Sequence, residues 1–388
     1  MSGSLNSPES TDSEEDANCV RLRMILAASY FRFPAQPRLV DDLHVFEMPE
    51  GLGFQLRGGV SPIILRGRYA ADSFRALRPL LGGRCSLEEL ISGCPREVPV
   101  SALLKTLVIL HTKGLLTGPG ILRAEDCDPS LRRQLLFWGR NLGSLQRCGS
   151  AAEVQHRIEQ TNLVVVGAGL LAAGTIDILC RSGMRSIRVI AWDDDGFLAE
   201  ALSHVPTPVE VVPLATTAIG PLLDQLRGRV EETDLLLAAT LHSPPSLFHA
   251  INRFCLRHRI PWLPGNLEGD VLELGPFASP GETACYNCMR MRQASVAGVS
   301  VEDSLYQAEI EVPHEAGRTP PRGESLAFTG LASSLIATEV LRIVTSIAPP
   351  TLANAVRRVS LLGGHMSHNP LMPVPVCTDC LSRNGRTR

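Results

Sequence analysis

Residues 161–195 constrain the fold of this chain more than any other stretch, because they combine a strand, a glycine turn, a helix and a second strand. The β-branched run at 162–166 is typical of a strand that is buried on both faces. Gly167-Ala-Gly169 follows at once and marks the place where a helix begins. A second buried strand is expected at residues 187–191. The stretch therefore predicts a βαβ unit of a doubly wound α/β sheet.

The glycine turn of this unit offers a place for an anion. In units of this type the second glycine lets a phosphate approach the backbone, and the N–H groups at the start of the helix attract it. Gly167 and Gly169 hold the first two small positions, and Ala172 holds the third. Asp193 and Asp195 follow the second strand, where a carboxylate can reach a ribose hydroxyl. The same glycines also serve simply to bring a helix close to a sheet, so the pattern leaves both roles open.

Composition and charge exclude several classes of protein. The formal net charge of -3 and the pI near 6.4 provide no basic field for nucleic acid. We see no apolar stretch long enough to span a membrane, and no basic head followed by an apolar core at the N-terminus. We therefore expect a cytoplasmic protein with neither a nucleic-acid nor a membrane partner. In that compartment, the 11 cysteines are better interpreted as metal ligands or isolated thiols than as disulfides.

Two C-x-x-C pairs give the strongest chemical pattern in the chain. They are Cys285 with Cys288, and Cys377 with Cys380. Two thiolates from each pair can surround one tetrahedral ion, which predicts a four-sulfur site with zinc as the metal. A closed site has no open position for water, so a structural zinc is favoured over a catalytic one or a redox pair. The second pair would then clip the C-terminus to the body of its domain.

The N-terminal third of the chain has the pattern of a separate small module. Residues 1–20 are rich in Ser, Asp and Glu and predict a disordered acidic tail. The module at residues 21–120 is predicted to contain three strands, at 39–48, 53–57 and 62–66, and then three helices, at 72–81, 86–92 and 100–113. Asp72 is the expected N-cap of the first helix, and Ser86 with Glu89 fits a capping box at the second. This order predicts a winged-helix-like module, which residues 121–160 connect to the next domain as a helical linker.

The third helix and the last strand of this module suggest a peptide site. Apolar residues spread around more of the helix than one core-facing stripe requires, which fits either burial on both sides or a groove. Only Lys105 and Lys113 resemble the side chains of a DNA-reading helix, so peptide is favoured over DNA. If residues 62–66 form a sheet edge, their free backbone groups can pair with an extended peptide. The expected contact residues are Pro62, Ile63, Ile64, Leu65, Arg66, Leu104, Lys105 and Val108.

The module resembles a known recognition element, the PqqD-like element that captures leader peptides in ribosomal peptide natural-product pathways. The matching segments are 40–66, 80–83, 86–90 and 108–116. Residues 130–388 resemble the ThiF/MoeB family of ubiquitin-activating-like adenylating enzymes. The matching segments there are 132–134, 164–169, 193–195, 234–240, 335–341 and both C-x-x-C pairs. The tail at 368–377 is more particularly similar to the ThiF-like partner proteins of YcaO cyclodehydratases.

The chain departs from the adenylating enzymes at the residues that carry their chemistry. Those enzymes hold ATP phosphates with Arg and Lys side chains, and magnesium with a carboxylate in the turn after the fourth strand. This chain has no lysine after Lys113, and its corresponding turn is Thr240-Leu-His-Ser243. His242 in that turn is either a ligand or base, or a solvated residue. We therefore expect that this chain has no catalytic residue and has lost the ability to adenylate a substrate with ATP.

The resemblance then implies the following architecture and role. The fold is expected to be α/β, with the winged-helix-like module followed at 161–388 by a doubly wound, Rossmann-like ThiF-type domain with a structural zinc site. The chain would bind the leader of a ribosomal precursor peptide and present it to a YcaO-type cyclodehydratase. That partner would form azoline rings of the thiazole/oxazole or thiopeptide type in antibiotic biosynthesis. The resemblance is also compatible with a homodimer. Two alternative functions remain, which are an ATP-dependent enzyme that adenylates a peptide carboxylate and a nicotinamide oxidoreductase.

Overall fold

The computed structural model describes residues 9–40, 43–58, 62–118, 129–141, 151–194, 196–296, 301–315 and 323–380. The chain divides into two compact units, Met1–His156 and Arg157–Arg388.

The N-terminal unit combines short strands with helices. Its helices are α1 (Glu9–Ala27), α2 (Arg68–Leu77), α3 (Leu87–Ser92), α4 (Val100–Thr112) and α5 (Pro129–Asn141), and α6 (Ala151–Gln160) begins in this unit. Its strands are β1 (Arg38–Leu39), β2 (His44–Glu47), β3 (Gly53–Arg57), β4 (Ile63–Arg66) and β5 (Leu116–Thr117). Strands β2, β3 and β4 form an antiparallel sheet in that order, so β4 is an edge strand among the described residues. The short strands β1 and β5 pair with each other.

The three strands and three helices follow one another in the order that the sequence predicts. The predicted capping box opens α3, where the Glu89 N–H donates to the Ser86 hydroxyl and the Ser86 N–H donates to the Glu89 carboxylate at 2.7 Å. The expected N-cap of α2 is wrong, because α2 begins at Arg68 rather than after Asp72. Gly67 precedes the helix at φ 95, and this conformation turns the chain sharply out of β4.

A helix covers much of the segment for which the sequence predicts disorder. Helix α1 includes residues 9–20 of that acidic segment, while residues 1–8 lie outside the described part of the chain. It packs against α4, buries Leu26, and its Glu15 carboxylate accepts a hydrogen bond from the Ser101 hydroxyl at 3.2 Å. Composition alone could not predict this helix, since the surface that stabilises it comes from a distant part of the sequence.

The C-terminal unit is built on an eight-stranded sheet. Its strands are β6 (Asn162–Gly167), β7 (Ser186–Ala191), β8 (Glu210–Pro213), β9 (Leu235–Leu241), β10 (Trp262–Glu268), β11 (Val271–Leu274), β12 (Ala355–Ser360) and β13 (Met366–Pro370). Its helices are α7 (Gly169–Arg181), α8 (Phe197–Ala201), α9 (Ile219–Arg227), α10 (Pro245–His258), α11 (Tyr286–Val296), α12 (Val301–Ile310) and α13 (Leu326–Thr345).

The order of strands in this sheet is β13-β12-β11-β10-β9-β6-β7-β8. The five strands from β10 to β8 run parallel to one another, as the alternation of strands and helices predicts. Strands β11, β12 and β13 add an antiparallel extension that the sequence pattern did not indicate. The carboxyl ends of the parallel strands meet at one edge, where the glycine turn, Asp193 and the turn at 240–243 follow β6, β7 and β9.

Helix α13 is a core helix of the C-terminal unit, with buried apolar residues along its length. It packs against α7, where the Ser333 hydroxyl donates to the Leu171 carbonyl at 3.1 Å. By length and apolar composition alone α13 could cross a bilayer, a candidate that the sequence analysis did not find. It also carries Glu339, which is fully buried and accepts hydrogen bonds from the Thr351 hydroxyl at 2.7 Å and the Leu352 N–H at 2.9 Å. A buried, fully bonded carboxylate is typical of a helix inside a folded domain.

Candidate functional site

The two glycines of the turn between β6 and α7 fit against different neighbours. A Cβ on Gly167 would lie 2.9 Å from the Ala239 carbonyl oxygen and 2.6 Å from the Ala172 Cβ. Gly169 has φ +61, and a Cβ there would lie 2.5 Å from a carboxylate oxygen of Glu324. Gly167 therefore permits close packing of strand against strand and helix, whereas Gly169 makes room for an acidic side chain.

The Glu324 carboxylate lies at the N-terminus of α7. Its Oε2 accepts a hydrogen bond at 3.1 Å from the N–H of Leu170, the second residue of the helix. A helix N-terminus carries partial positive charge and unpaired N–H groups, and this is where a phosphate binds in nucleotide-binding βαβ units. A carboxylate of the chain itself occupies that position here. The sequence pattern did not point to Glu324, because this residue lies 154 positions from Leu170 and belongs to no motif.

A second carboxylate lies at the N-terminus of α10, which follows β9 at the same edge of the sheet. Oε1 of Glu311 accepts the N–H of Ser246 at 3.0 Å. Ser246 is the second residue of α10, and the first, Pro245, has no N–H to offer. Glu311 belongs to no sequence motif either. Two neighbouring helix N-termini therefore each bind a glutamate from the segment that precedes α13.

Asp193, the residue expected to reach a ribose, contacts a histidine instead. Its Oδ1 lies 3.2 Å from Nε2 of His314, and its side chain is 8% exposed. The backbone of His314 is fixed by Thr217, whose N–H donates to the His314 carbonyl while its hydroxyl accepts the His314 N–H, both at 2.9 Å. Asp195 lies outside the described residues. The acidic position after β7 therefore has a partner within the chain.

The turn after β9 contains no carboxylate, and its polar groups bind residues of β10 and of the turn that follows β10. The Thr240 hydroxyl and the Ser243 N–H both donate to Oδ1 of Asn266 at 3.2 Å. His242 accepts the Gly269 N–H on Nε2 at 3.3 Å, so it holds the turn between β10 and β11. An imidazole nitrogen that accepts this bond is not available as a base in this conformation.

The four cysteines of the C-x-x-C pairs meet in one cluster, as the sequence predicts. The Sγ–Sγ distances are 3.8 Å for Cys285 and Cys288, 3.7 Å for Cys285 and Cys377, and 3.5 Å for Cys288 and Cys380. A tetrahedral zinc with bonds of about 2.3 Å to sulfur holds its ligands about 3.8 Å apart. Three of the cysteines are buried, and Cys380 is half-buried. Both the spacing and the donor set fit a closed zinc site.

Two N–H groups outside the four cysteines donate hydrogen bonds to sulfurs of the cluster. The Val374 N–H donates to the Cys288 sulfur at 3.3 Å. The Asn287 amide donates to the Cys377 sulfur at 3.6 Å. Because a metal binds the deprotonated sulfur, hydrogen bonds of this kind favour metal binding.

Asn252 links the two halves of the cluster. This fully buried residue of α10 accepts the Tyr286 N–H at 3.1 Å and donates to the Asp379 carboxylate at 2.9 Å. Tyr286 and Asp379 each lie inside one of the C-x-x-C sequences, so one side chain orients both. No sequence motif pointed to Asn252.

The residues predicted to contact a peptide have different environments. On β4, Ile64 is 44% exposed while Leu65 is buried, as the alternation of a strand requires. Leu104 is fully buried, and α1 packs against its helix, so no groove is open along Leu104. Among the others, Pro62, Arg66 and Lys105 are exposed, and Ile63 and Val108 are half-buried. The open part of the predicted site is therefore the edge strand.

A cavity of about 800 Å³ lies at the end of this edge strand. It is lined by Met48, Glu50, Gly51, Leu52, Arg66, Gly67, Asp72 and Arg75. These residues belong to the β2–β3 turn, the end of β4 and the start of α2. The open space beside β4 thus differs from the one that the sequence predicts along α4.

Comparison with known proteins defines the class of the C-terminal unit. Residues 197–378 match the ThiF family, so this unit contains a ThiF family domain. No curated protein matches the chain by sequence.

Solved structures with the same fold include two complexes of one enzyme. Escherichia coli MccB with AMPCPP and MccA has a TM-score of 0.64 and 16% identity, and the alignment covers 89% of this chain and 99% of that one. MccB described as a microcin C7 biosynthetic enzyme, in complex with N-formylated MccA, has 17% identity with the same TM-score and coverage. The heterocyclase TruD has a TM-score of 0.54 and 21% identity, over 89% of this chain and 43% of that one. At these identities the likeness establishes the fold.

Proposed function

We propose that this chain binds the leader of a ribosomally synthesised precursor peptide and presents the peptide to a YcaO-type cyclodehydratase. The partner closes side chains onto the backbone to form azolines of the thiazole/oxazole or thiopeptide type. The N-terminal unit is a winged-helix-like recognition module, and the ThiF domain is a scaffold with a structural zinc bound by the four cysteines. The protein acts in the cytoplasm. The likeness to MccB, solved with MccA, and to the heterocyclase TruD supports this proposal.

The Glu324 carboxylate at the N-terminus of α7 carries the proposal of a non-catalytic role. A triphosphate placed there would meet a negative charge in the position that should attract it. Phosphate transfer and adenylation also develop negative charge that cations must stabilise, and magnesium needs carboxylate ligands. The turn at 240–243 offers hydroxyl and imidazole groups but no carboxylate. These features support a domain that has kept the fold of an adenylating enzyme without its reaction.

The edge strand β4 supports recognition of an extended peptide. It pairs with β3 on one side, and the exposed Ile64 can contact alternate side chains of an added strand. Backbone pairing supplies affinity that tolerates sequence variation, while the cavity at the end of β4 can hold one larger side chain.

Leader binding is tested with the full chain and a fluorescent precursor peptide encoded beside its gene. Ile64→Pro removes a backbone N–H from β4 and should weaken binding by about tenfold or more. Ile64→Asp changes only an exposed side chain, so it tests the same edge in a folded protein. Phe46 provides the matched control, because it lies on the opposite edge strand, in register with Ile64 through Gln55, and is also exposed.

The corresponding Phe46→Pro and Phe46→Asp variants should bind the peptide like the wild type. Weaker binding in the Phe46 variants, with normal binding in both Ile64 variants, would remove β4 from the proposal.

Adenylation of a peptide carboxylate is the second candidate function. It is favoured by the fold of MccB, which has been solved with AMPCPP. Pyrophosphate release by this chain alone, in the presence of ATP, magnesium and the precursor peptide, would establish this activity. Leader binding without pyrophosphate release is the result that we expect.

A further inference from the structure

We propose that strand β13, at the edge of the eight-stranded sheet, binds an extended segment of a partner protein as an added strand, and that an acidic side chain of this segment enters a cationic cavity beside the strand. The cavity has a volume of about 540 Å³ and is lined by residues of α13, of the loop at 348–351, of β12 and of β13. This inference concerns only the C-terminal unit and does not rest on leader binding by the N-terminal unit.

Two arginines of the cavity converge on one hydroxyl. Arg357 of β12 donates to the Thr351 hydroxyl at 2.9 Å, and Arg342 of α13 donates to the same oxygen at 3.5 Å. The Thr351 hydroxyl in turn donates to Oε2 of the buried Glu339, which Arg342 also contacts at 3.3 Å. One carboxylate therefore serves two guanidinium groups, and among the described residues Arg357 has no carboxylate partner of its own.

The cavity thus has an excess of positive charge that a carboxylate would balance. Two guanidinium groups held close together repel each other, and each retains N–H donors that a carboxylate can accept. The wall at residues 348–350 is Ala-Pro-Pro, which has no polar side chain and a backbone restricted by its prolines. A cationic end and a rigid apolar wall fit a carboxylate on a short aliphatic stem, which is the side chain of aspartate or glutamate.

Strand β13 presents unpaired backbone groups beside this cavity. It is an edge strand among the described residues, and its His368 lies opposite Arg357 of β12. The Ser360 N–H donates to the His365 carbonyl at 2.9 Å, and hydrogen-bonded pairs alternate with non-bonded pairs along antiparallel strands. The N–H and C=O of His368 therefore point to the open edge, while its side chain lies on the same face as Arg357. A strand added to this edge would place a side chain next to the cavity.

The two edges of the sheet differ in how they are protected against pairing. Edge strands usually carry charged side chains or prolines that prevent the addition of another strand. All five residues of β13 are exposed, none is Asp, Glu, Lys or Arg, and its single proline is the last residue, Pro370. The opposite edge strand, β8, begins with Glu210, which forms an ion pair with Arg188. Met366 of β13 is 55% exposed on the cavity face and can contact an apolar side chain of the added strand.

The test measures binding of a short peptide to the full chain by fluorescence anisotropy. The peptide is Val-Thr-Glu-Thr-Val, amidated at its C-terminus and labelled with an uncharged fluorophore at its N-terminus. In a strand its glutamate and both valines lie on one face, so the glutamate can enter the cavity while a valine contacts Met366. The same peptide with glutamine in place of glutamate keeps the shape without the charge and should bind about tenfold more weakly.

Three variants separate the cavity from the edge. Arg357→Gln should weaken binding of the glutamate peptide by about tenfold and leave binding of the glutamine peptide unchanged. Arg358→Gln is the matched control, because this residue is next on β12, faces the other side of the sheet and has a side chain that is 57% exposed; it should bind both peptides like the wild type. His368→Pro removes an N–H that points to the open edge, so it should keep the thermal stability and lose binding of both peptides.

Equal affinities for the glutamate and glutamine peptides, or equal losses in Arg357→Gln and Arg358→Gln, would overturn the proposal. A lack of saturable binding of the glutamate peptide would also overturn it, and inorganic phosphate binding that depends on Arg357 would then identify a site for a free anion. Leader binding by Arg357→Gln should match the wild type, so failure of this inference is distinguishable from failure of the proposed function.

Discussion

The cysteine cluster and the glycine turn lie in the same unit, yet their sequence motifs differ in how well they predict which groups come together. At the cluster, the four predicted sulfurs lie within 4.8 Å of one another. At the turn, the residues predicted to surround a ligand contact Glu324 and His314 of the chain itself. A C-x-x-C pair specifies the side chains that bind, whereas a glycine turn specifies only space and free N–H groups. Any anion can use that space, including one from a distant part of the chain.

The largest effect is expected at the cluster, because a structural metal contributes its binding free energy to folding. Cys377→Ser should lose the metal and lower the free energy of unfolding by several kcal/mol. Elemental analysis and thermal unfolding measure the two effects. Cys94→Ser, at a half-buried thiol of the N-terminal unit, is the control and should keep its metal. Full metal content and stability in Cys377→Ser would show that the cluster is not a zinc site.

The two glycines of the turn should respond differently to alanine. Gly167→Ala places a carbon against a backbone carbonyl that cannot move, so it should cost about 2 kcal/mol. Gly169→Ala places its carbon against a side chain that can move away. The positive φ of Gly169 is then the main cost, and the free energy of unfolding should fall by about 1 kcal/mol. Urea unfolding measures both. An equal or reversed order of the two costs would contradict the assignment of Gly169 to a side-chain neighbour.

The smallest signal is expected when the wild-type chain is titrated with ATP and magnesium. Because carboxylates hold both helix N-termini, calorimetry should detect weak binding or none. A micromolar dissociation constant would show that this turn binds a nucleotide despite the two carboxylates. It would also favour adenylation over the scaffold role.

Much of the fold could be predicted because local patterns report burial and backbone conformation. The β-branched run before Gly167 indicated β6, and Ser86 with Glu89 indicated the start of α3. The peptide site could be predicted only in part. The edge position of β4 follows from the order of strands, but the burial of Leu104 depends on α1, whose acidic sequence suggested disorder.

The sequence by itself determined the βαβ unit, the parallel part of the sheet, the lack of a carboxylate at 240–243 and the four sulfurs of the cluster. The tertiary structure alone decided that β11, β12 and β13 extend the sheet, that α1 packs on α4, and that Glu311 and Glu324 lie at two helix N-termini. The physical reason is the separation along the chain between the residues that interact. Periodicity and spacing record what a residue needs from its neighbours in the chain, whereas a carboxylate 154 positions away reaches Leu170 only after the sheet and its helices have assembled.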